Sequence, residues 1–270
     1  MTALVNAPYK FTLSKDAKGN VKLQVETGKL ILDSARLLKA ESYIPGSKPT
    51  FYVRGLLSPK TEAGKKFYNE YINHERQLLT SKNMLHENFL PKDYDPKKSE
   101  IFKSTLRLGS SIIQDAKDYD EKFAEEIEQK KEKKKYHENM EYLNDFAVFR
   151  ASTNEEFKDA KTGEIRKIVV PIVDKFGAPV LSQLTEDMLS PAFYGRLSLT
   201  VKITKTEKGE RLLKAYLNSV IYLGKADPRH CFVTSSSGKF SSETVDDNSM
   251  FDETPATPAD DIDAYINGDI

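Results

Sequence analysis

The sequence has almost no cysteine and no long hydrophobic run. Cys231 is the single cysteine among 270 residues, so the chain has neither the second thiol for an internal disulfide nor the ligand set for a zinc site. Cys231 lies outside any recognised nucleophile motif, and a reducing cytoplasm suits such a chain. No run of 18 apolar residues is present, and residues 1–4 lack the charged start of a signal peptide. We therefore expect a soluble protein that is not exported.

The sequence also lacks the short motifs that carry common enzyme chemistry. It contains no GxxxxGKS or GxxxxGKT phosphate loop, no HExxH and no GxSxG. Acidic pairs such as Asp246-Asp247 and Asp260-Asp261 lie near the C-terminus, where nothing would hold their geometry for catalysis. These absences predict that the protein is not an enzyme and holds no metal or cofactor. The four histidines are scattered without the spacing of metal ligands: His74, His86, His137 and His230.

Charge is distributed very unevenly along the chain. The 41 basic and 41 acidic side chains cancel overall, but residues 243–270 contain nine Asp or Glu and no Lys, Arg or His. Residues 1–242 therefore carry 41 basic against 41 − 9 = 32 acidic side chains, a net charge of about +9. A basic body with an acidic terminal segment is typical of a protein whose cationic surface meets a polyanion.

Alternating apolar and polar residues predict several short strands separated by turns. Charged, glycine-containing turns such as 159–163 and 207–210 separate them, and helices are inserted between them. This order favours a mainly β protein with inserted helices (α+β), specifically an OB-like antiparallel barrel, over a parallel sheet. The predicted strands are 9–13, 21–25, 51–57, 146–151, 165–173, 193–204 and 212–223, with 165–173 as a central strand and the first two as a hairpin.

Two helices and a tail complete the predicted organisation. The first helix is predicted at about 59–81, with Ser58 as N-cap and Pro59 at the first helical position. The second, long and heavily charged, is predicted at about 111–143. We predict one OB-like nucleic-acid-binding domain over residues 1–233, then a flexible linker and a disordered acidic tail over residues 234–270.

The outward faces of the predicted strands share one composition, in which tyrosine alternates with Arg or Lys. Flat aromatic rings stack on unpaired bases, while Lys and Arg meet phosphates, so this pattern indicates binding of single-stranded nucleic acid. Any one of these residues taken alone is more typical of an ordinary solvent-facing strand, whereas the repetition over three strands in a basic body with an acidic tail favours binding. The candidate DNA-binding residues are Tyr52, Arg54, Arg150, Tyr194, Arg196, Lys202, Lys214 and Tyr216.

The acidic tail also carries apolar residues, which a segment serving solubility alone would not need. An acidic strand with apolar anchors docks in a basic, partly apolar pocket of a partner protein, or occupies the cationic surface of its own chain. The lysine-rich run 130–135 is read as a solvated helix face, with phosphate contact as the alternative. The candidate partner-binding residues of the tail are Phe251, Asp260, Asp261, Asp263, Tyr265, Asp269 and Ile270.

The chain resembles the single-stranded-DNA-binding proteins of tailed bacteriophages, which have one OB-type barrel, inserted helices and an acidic C-terminal tail. The resemblance lies in the order of four blocks within about 50–224, together with the tail. These blocks are Phe51-Tyr52-Val53-Arg54-Gly55-Leu56-Leu57-Ser58-Pro59-Lys60, Lys65-Lys66-Phe67-Tyr68, Phe193-Tyr194-Gly195-Arg196-Leu197-Ser198 and Lys214-Ala215-Tyr216-Leu217-Asn218-Ser219-Val220.

The resemblance implies DNA binding on the barrel surface, a role in phage replication and recombination, and action in the cytoplasm of the infected bacterial host. It also implies a tail that competes with DNA and engages replication proteins such as DNA polymerase or helicase/primase. Two features depart from the family: the tail ends in Ile270 rather than in an aromatic residue, and the long charged helix has no counterpart.

Three alternatives stay open at this point. The chain could be a transcription regulator that binds RNA polymerase through its tail or charged helix, or a structural protein of the virion. RNA is the third alternative, because stacking and phosphate contacts alone do not sense the 2′-hydroxyl. The sequence also leaves a homodimer open.

Overall fold

The structure, a computed structural model, describes eight stretches of the chain. These are residues 8–15, 20–42, 47–80, 103–122, 137, 140–158, 162–205 and 211–231. Strands dominate them and helices are inserted between strands, which confirms the predicted mainly β architecture. Within these stretches no helix is long and apolar enough to cross a membrane. The predicted linker and tail lie outside the described residues.

Eleven strands and three α-helices follow one another along the described residues. The strands are β1 (Lys10–Lys15), β2 (Val21–Glu26), β3 (Leu30–Glu41), β4 (Thr50–Leu57), β5 (Leu106–Leu108), β6 (Ala147–Asn154), β7 (Glu156–Lys158), β8 (Ile165–Lys167), β9 (Ile172–Val173), β10 (Ala192–Lys205) and β11 (Arg211–Lys225). The helices are α1 (Glu62–Thr80), α2 (Gly109–Lys122) and α3 (Glu186–Leu189), and single 3-10 turns lie at Glu141–Asp145, Leu181–Gln183 and Pro228–His230.

Five of the strands pair in a ring. β3 pairs antiparallel with β4, β4 with β6, and β10 pairs antiparallel with both β3 and β11. A parallel contact between β6 and β11, where Ala151 lies beside Ala215, completes the ring. β2 extends it along β10, and β1 forms the predicted hairpin with β2.

The interior of the ring is apolar and closely packed. A Cβ atom at Gly195 would lie 2.6 Å from Leu32 Cδ1 and 2.8 Å from the carbonyl oxygen of Ile221, so only glycine fits where β3, β10 and β11 meet. Helix α1 covers one side of the ring, with the Tyr71 ring 5.2 Å from that of Phe149. Burying one such aromatic side chain contributes roughly 1.5–3 kcal/mol, which fixes the helix on the strands.

Helix α1 begins three residues later than predicted. Ser58 and Pro59 belong to a turn before the helix, and Thr61 takes the capping role because its hydroxyl accepts a hydrogen bond of 3.1 Å from the backbone N–H of Gly64. The prediction of Ser58 as N-cap was wrong because two residues along this short run, Ser58 and Thr61, are able to cap, and the sequence does not rank them.

The long charged helix was predicted wrongly at its C-terminal end. Helix α2 starts at Gly109 and its described part reaches Lys122, but Glu141–Asp145 is a 3-10 turn that leads into β6. The rest of the predicted helix, 123–136, lies outside the described residues. His137 returns the chain to the body, since its backbone N–H and Nδ1 bond to the buried carboxylate of Asp120 at 2.9 and 2.8 Å.

Residues 165–173 do not form the predicted central strand. Ile165–Lys167 is exposed and, within the described residues, pairs with β7 alone, in a separate two-stranded sheet. Ile172–Val173 joins β11 as a two-residue edge strand, and Val170 and Ile172 are buried. Pro171 lies between the two pieces, and because proline has no N–H to donate to a ladder it does not continue a central strand.

Two bulges shift the phase of β11. Ser219, Ile221 and Leu223 were predicted to face inward and Tyr222 outward, but the pairing with β10 skips one residue after Leu217 and another after Tyr222. Val220 is therefore fully buried, and the Tyr222 ring packs 5.6 Å from that of Phe193. One extra residue in a strand moves all later side chains to the other face.

Candidate nucleic-acid interface

Three cations lie side by side on the outer face of the ring, on strands β10, β11 and β6. Lys202 is directly opposite Lys214 in the β10–β11 ladder. Ala151 on β6 and Ala215 on β11 are parallel partners, and both are buried. The residues just before them, Arg150 and Lys214, therefore both lie on the outer face. Lys202 and Arg150 are exposed, and Lys214 is half-buried. We call Lys202, Lys214 and Arg150 the cation row.

The cation row lacks acidic partners in the described part of the chain. None of its three side chains forms an ion pair there, although two lysines placed directly opposite each other repel. A row of unneutralised like charges is stabilised by an anion that bridges it, and a phosphate backbone has the required repeating charge.

Two tyrosines follow the cation row on the same face. Tyr216 on β11 is opposite Thr200 on β10, and Tyr52 on β4 is opposite Ser152 on β6 and Arg36 on β3. Tyr216 and Ser152 each follow one of the paired alanines, so they lie beside each other. Tyr216 and Tyr52 therefore lie two strands apart, and the backbones of those strands are separated by about 10 Å. We call Tyr216 and Tyr52 the ring row.

Tyr216 is held in place by its neighbours. Lys202 Nζ lies 4.6 Å from the centre of the Tyr216 ring and Lys214 Nζ lies 5.0 Å from it. The Tyr216 hydroxyl donates a hydrogen bond of 3.2 Å to Thr204 Oγ1. Both cation–π contacts are at an exposed site and contribute roughly 0.5–1 kcal/mol each, so a phosphate can draw the flexible lysines away while the ring stays in position.

Arg54 was predicted on this exposed face, and that prediction was wrong. Its side chain does point outward, opposite Arg150, but it is buried under a second layer. Its Nε and Nη2 donate to the two carboxylate oxygens of Asp33 at 2.6 and 2.7 Å, and Nη2 also contacts Ser34 Oγ and the Tyr142 hydroxyl. Burial by itself lowers the pKa of Arg54, but the hydrogen bonds and charge of Asp33 outweigh it and raise that pKa.

Arg196 was also predicted to be exposed and is buried instead. Its Nε donates to the carbonyl oxygen of Thr27 at 2.7 Å and its Nη2 to that of Pro8 at 3.2 Å. Burial lowers the pKa of Arg196, against the opposing charge of Glu26. The guanidinium thus joins the β2–β3 turn and the segment before β1 to β10, and it is covered by them.

Tyr194 is engaged within the protein. Its hydroxyl is hydrogen-bonded to His230 Nδ1 at 2.5 Å and accepts a bond of 3.3 Å from the backbone N–H of Asp227. The ammonium of Lys29, itself buried, lies 4.3 Å from the centre of the Tyr194 ring. Tyr194 therefore anchors the last described turn of the chain to β10.

Of the eight predicted residues, the structure brings five together: Arg150, Lys202, Lys214, Tyr216 and Tyr52. Three polar residues that were not among the eight candidates lie between them, namely Thr200, Ser152 and Asn218. Asn218 Nδ2 donates to Thr200 Oγ1 at 2.9 Å across the two long strands. The β-strand alternation predicts the outward position of Thr200, but the bulge at Asn218 has no sequence signature.

Several predicted features lie outside the described residues. These are the lysine-rich run 130–135 and the tail residues Phe251, Asp260, Asp261, Asp263, Tyr265, Asp269 and Ile270. Among the residues that are described, no group of three or more His, Cys, Asp and Glu side chains is placed to hold a metal ion.

No protein-family model and no curated protein sequence matches this chain. Among solved structures, it is similar to the single-stranded DNA-binding protein encoded by bacteriophage T7, with 14% identity and a TM-score of 0.45, over 76% of this chain and 88% of that one. It is also similar to the single-stranded DNA-binding protein of bacteriophage Enc34 in complex with single-stranded DNA, with 13% identity and a TM-score of 0.44, over 81% and 98% of the two chains. These values establish neither a family nor a function.

Proposed function

We propose that this chain binds single-stranded DNA without strong sequence preference, on the outer face of its strand ring. The observation that carries the proposal is the placement of Tyr216 between Lys202 and Lys214, with Arg150 and Tyr52 on the next strands of the same face. The cation row meets phosphates and releases their counterions, and the ring row stacks on bases.

The form of the face favours an unpaired strand over a duplex. In a duplex the flat faces of the bases are stacked on each other, whereas an unpaired strand presents them to a protein ring at roughly 1–3 kcal/mol per base. Stacking tolerates every base, because each base has a flat face that stacks on an aromatic ring. The proposed function is therefore coating rather than sequence recognition, and it involves no catalysis.

The strand ring itself supports an OB-like barrel. In chain order its members are β3, β4, β6, β10 and β11, and the second and third of these, β4 and β6, carry Tyr52 and Arg150. OB folds bind oligonucleotides on the face of their second and third strands. We assign the ring to this architecture as part of the proposal.

The acidic tail is proposed to act against this face. Its nine acidic side chains have the opposite charge to the cation row, so an unoccupied face would attract it until DNA displaced it. A displaced tail is then free to engage replication proteins such as a polymerase or a helicase/primase. We propose on this basis a role in phage DNA replication and recombination, in the cytoplasm of the infected host.

Fluorescence anisotropy of labelled oligo(dT) and of a matched duplex, each over a salt series, tests the binding proposal. We expect tighter binding of oligo(dT), and a fall of log K with log salt of slope about −2 from the three residues of the cation row. Equal affinity for both DNAs, or a response that salt does not change, would contradict it.

Deleting residues 244–270 tests the tail separately. The proposal predicts equal or tighter binding of oligo(dT) by the shortened chain, together with loss of the partner protein in a pull-down. If neither the full-length nor the shortened chain binds oligo(dT), and the deletion abolishes contact with RNA polymerase, the regulator alternative holds instead.

A further inference from the structure

The two-stranded sheet of β7 and β8 shares no ladder with the other nine strands of the described residues. β7 and β8 pair with each other, with Glu156 opposite Lys167, Phe157 opposite Arg166 and Lys158 opposite Ile165. All six side chains are exposed. A two-stranded ribbon without a covered face is only marginally stable in water, so its persistence calls for a partner surface.

The ribbon carries two large exposed apolar side chains, and two more follow it along the chain. Phe157 and Ile165 are 53% and 62% exposed, and Val169 and Phe176, in the chain that follows, are 59% and 56% exposed. Among the described residues only Leu13, Tyr119 and Leu212 add to this set of large exposed apolar side chains. Phe157 and Ile165 belong to neighbouring cross-strand pairs, so they lie on opposite faces of the ribbon and each face presents one exposed apolar side chain to a partner.

The outer edge of β7 offers unpaired backbone groups. The backbone N–H of Ile168 donates to the carbonyl oxygen of Glu155 at 2.7 Å, which sets the phase of the ladder. Hydrogen-bonded pairs alternate in an antiparallel ladder, so Phe157 bonds to β8 while the N–H and C=O groups of Glu156 and Lys158 point away from it. Within the described stretches no strand pairs with that edge, and an unpaired edge is a template for another strand.

The order of charges along β7 makes this edge complementary to itself. The strand reads Glu156-Phe157-Lys158, an acid and a base flanking an aromatic ring. If a second β7 lies antiparallel to it with the two-fold axis at Phe157, each Glu156 lies opposite a Lys158 and the two phenylalanines lie opposite each other. Opposite charges and aromatic pairs are the favourable cross-strand pairs.

We propose that β7 pairs antiparallel with β7 of a second copy of this chain, joining two ribbons into a four-stranded sheet about a two-fold axis. The backbone groups of Glu156 and Lys158 form the hydrogen-bonded pairs of the new ladder. Phe157 and the partner's Phe157 form the close pair between them, flanked on each side by Arg166. The same surface patch serves both subunits, as a two-fold interface requires.

The other edge of the ribbon does not offer this match. β8 reads Ile165-Arg166-Lys167, and an antiparallel pairing centred on Arg166 would place two arginines directly opposite each other. The choice of β7 over β8 thus rests on charge, and it does not depend on the DNA-binding proposal.

A charge exchange on purified full-length protein tests the interface. Sedimentation velocity over a concentration series should show a dimer for the natural chain. Glu156→Lys alone should weaken self-association at least about tenfold, because it places lysines opposite each other. The double variant Glu156→Lys with Lys158→Glu should restore the dimer, since the exchanged charges are again complementary.

A cysteine crosslink locates the two-fold axis. In the background Cys231→Ser, Phe157→Cys should form an intersubunit disulfide under mild oxidation, because the Cα atoms of a close antiparallel pair are about 4.5 Å apart. Leu212→Cys, in an exposed position on β11, is the matched control and should stay uncrosslinked.

Three outcomes overturn the proposal. The first is a natural chain that stays monomeric throughout the series, and the second is a dimer that Glu156→Lys leaves intact. The third is a monomer whose affinity for oligo(dT) falls on Phe157→Ala, which assigns the ribbon to nucleic acid. Circular dichroism of each variant confirms that these exposed substitutions leave the fold in place.

Discussion

Arg54 and Arg150 lie directly opposite each other on neighbouring strands, on the same face, and have different environments. Arg54 is buried and bound to both oxygens of Asp33, whereas Arg150 is exposed and is in reach of an anion. The difference lies in what covers each residue: the 3-10 turn with Tyr142 covers Arg54. Alternation along a strand assigns a face, but packing from distant segments decides exposure.

The tyrosines of the same face divide in the same way. Tyr194 is tied to His230 and Asp227, while Tyr216 lies among lysines and threonine at the other end of β10 and β11. We call the part of the face around Tyr194 and Arg54 the closed end, because contacts within the protein occupy these side chains. The part around Tyr216 and Arg150 is the open end, where we propose that DNA binds. Substitutions at the two ends should have separable effects, on stability at one end and on binding at the other.

The largest effect is expected at the closed end, from Asp33→Ala. This change leaves the buried guanidinium of Arg54 without its carboxylate, and breaking a buried ion pair costs about 3–5 kcal/mol. Urea denaturation followed by circular dichroism measures the loss in the free energy of unfolding. The matched substitution at the open end, Arg150→Gln, should change that free energy by less than about 0.5 kcal/mol. Similar losses for both would show that the two ends do not differ.

Four of the five strands of the ring, β4, β6, β10 and β11, were predicted because a buried face imposes a period of two on them. The fifth, β3, was not delimited, because its first four residues are all buried and show no alternation. The predicted run 193–204 differs from β10 by one residue at each end. β5 and β7 were missed, because three residues carry too little periodicity to be recognised. The prediction of one strand over 165–173 was wrong because Pro171 has no backbone N–H to donate. An apolar run that contains it does not form a continuous ladder.

The sequence predicted which residue types occur on the outer faces of the strands, tyrosine with Arg or Lys, but not which of these side chains are exposed. Asp33 lies 21 residues from Arg54, and Thr27 lies 169 residues from Arg196. Nothing in the local sequence distinguishes these two arginines from Arg150, so their burial is a property of the tertiary structure.

The next largest effect is expected at the open end, from Tyr216→Ala. Losing one stacking ring should weaken oligo(dT) binding by roughly 1–3 kcal/mol, while Tyr216→Phe keeps the ring and the affinity. Anisotropy titration at fixed salt measures both. At the closed end, Tyr194→Phe removes two hydrogen bonds and should lower the free energy of unfolding by about 1 kcal/mol without changing affinity. If Tyr194→Phe instead weakens binding as much as Tyr216→Ala, the division of the face is wrong.

A smaller effect is expected in the salt dependence. Each of Lys202→Gln, Lys214→Gln and Arg150→Gln should flatten the slope of log K against log salt by about 0.7, because each removes one phosphate contact to a single strand. Arg196→Gln should leave the slope unchanged, since that guanidinium is bound to backbone carbonyls. An unchanged slope in all three variants of the cation row would remove it from the DNA path.

The smallest effect is expected in the pH dependence of stability, from two acids, one buried and one half-exposed. Burial raises the pKa of Glu75 above its ordinary value of 4.5, against the hydrogen bonds it accepts from Ser104 and Thr105. Asp115 is half-exposed, and although partial burial alone raises its pKa, the bonds and charges of Lys103 and Arg107 hold that pKa below its ordinary value of 3.8.

The two acids should therefore change stability in opposite directions with pH. A raised folded pKa means that the contribution of Glu75 is full below pH 4.5 and declines as pH rises through the folded value. A lowered one means that the contribution of Asp115 is full above pH 3.8 and declines as pH falls through the folded value. The difference in unfolding free energy between natural chain and variant, measured by urea titration from pH 3 to 8, should thus fall with pH for Glu75→Gln and rise for Asp115→Asn. Parallel trends in the two variants would show that burial does not govern the Glu75 carboxyl.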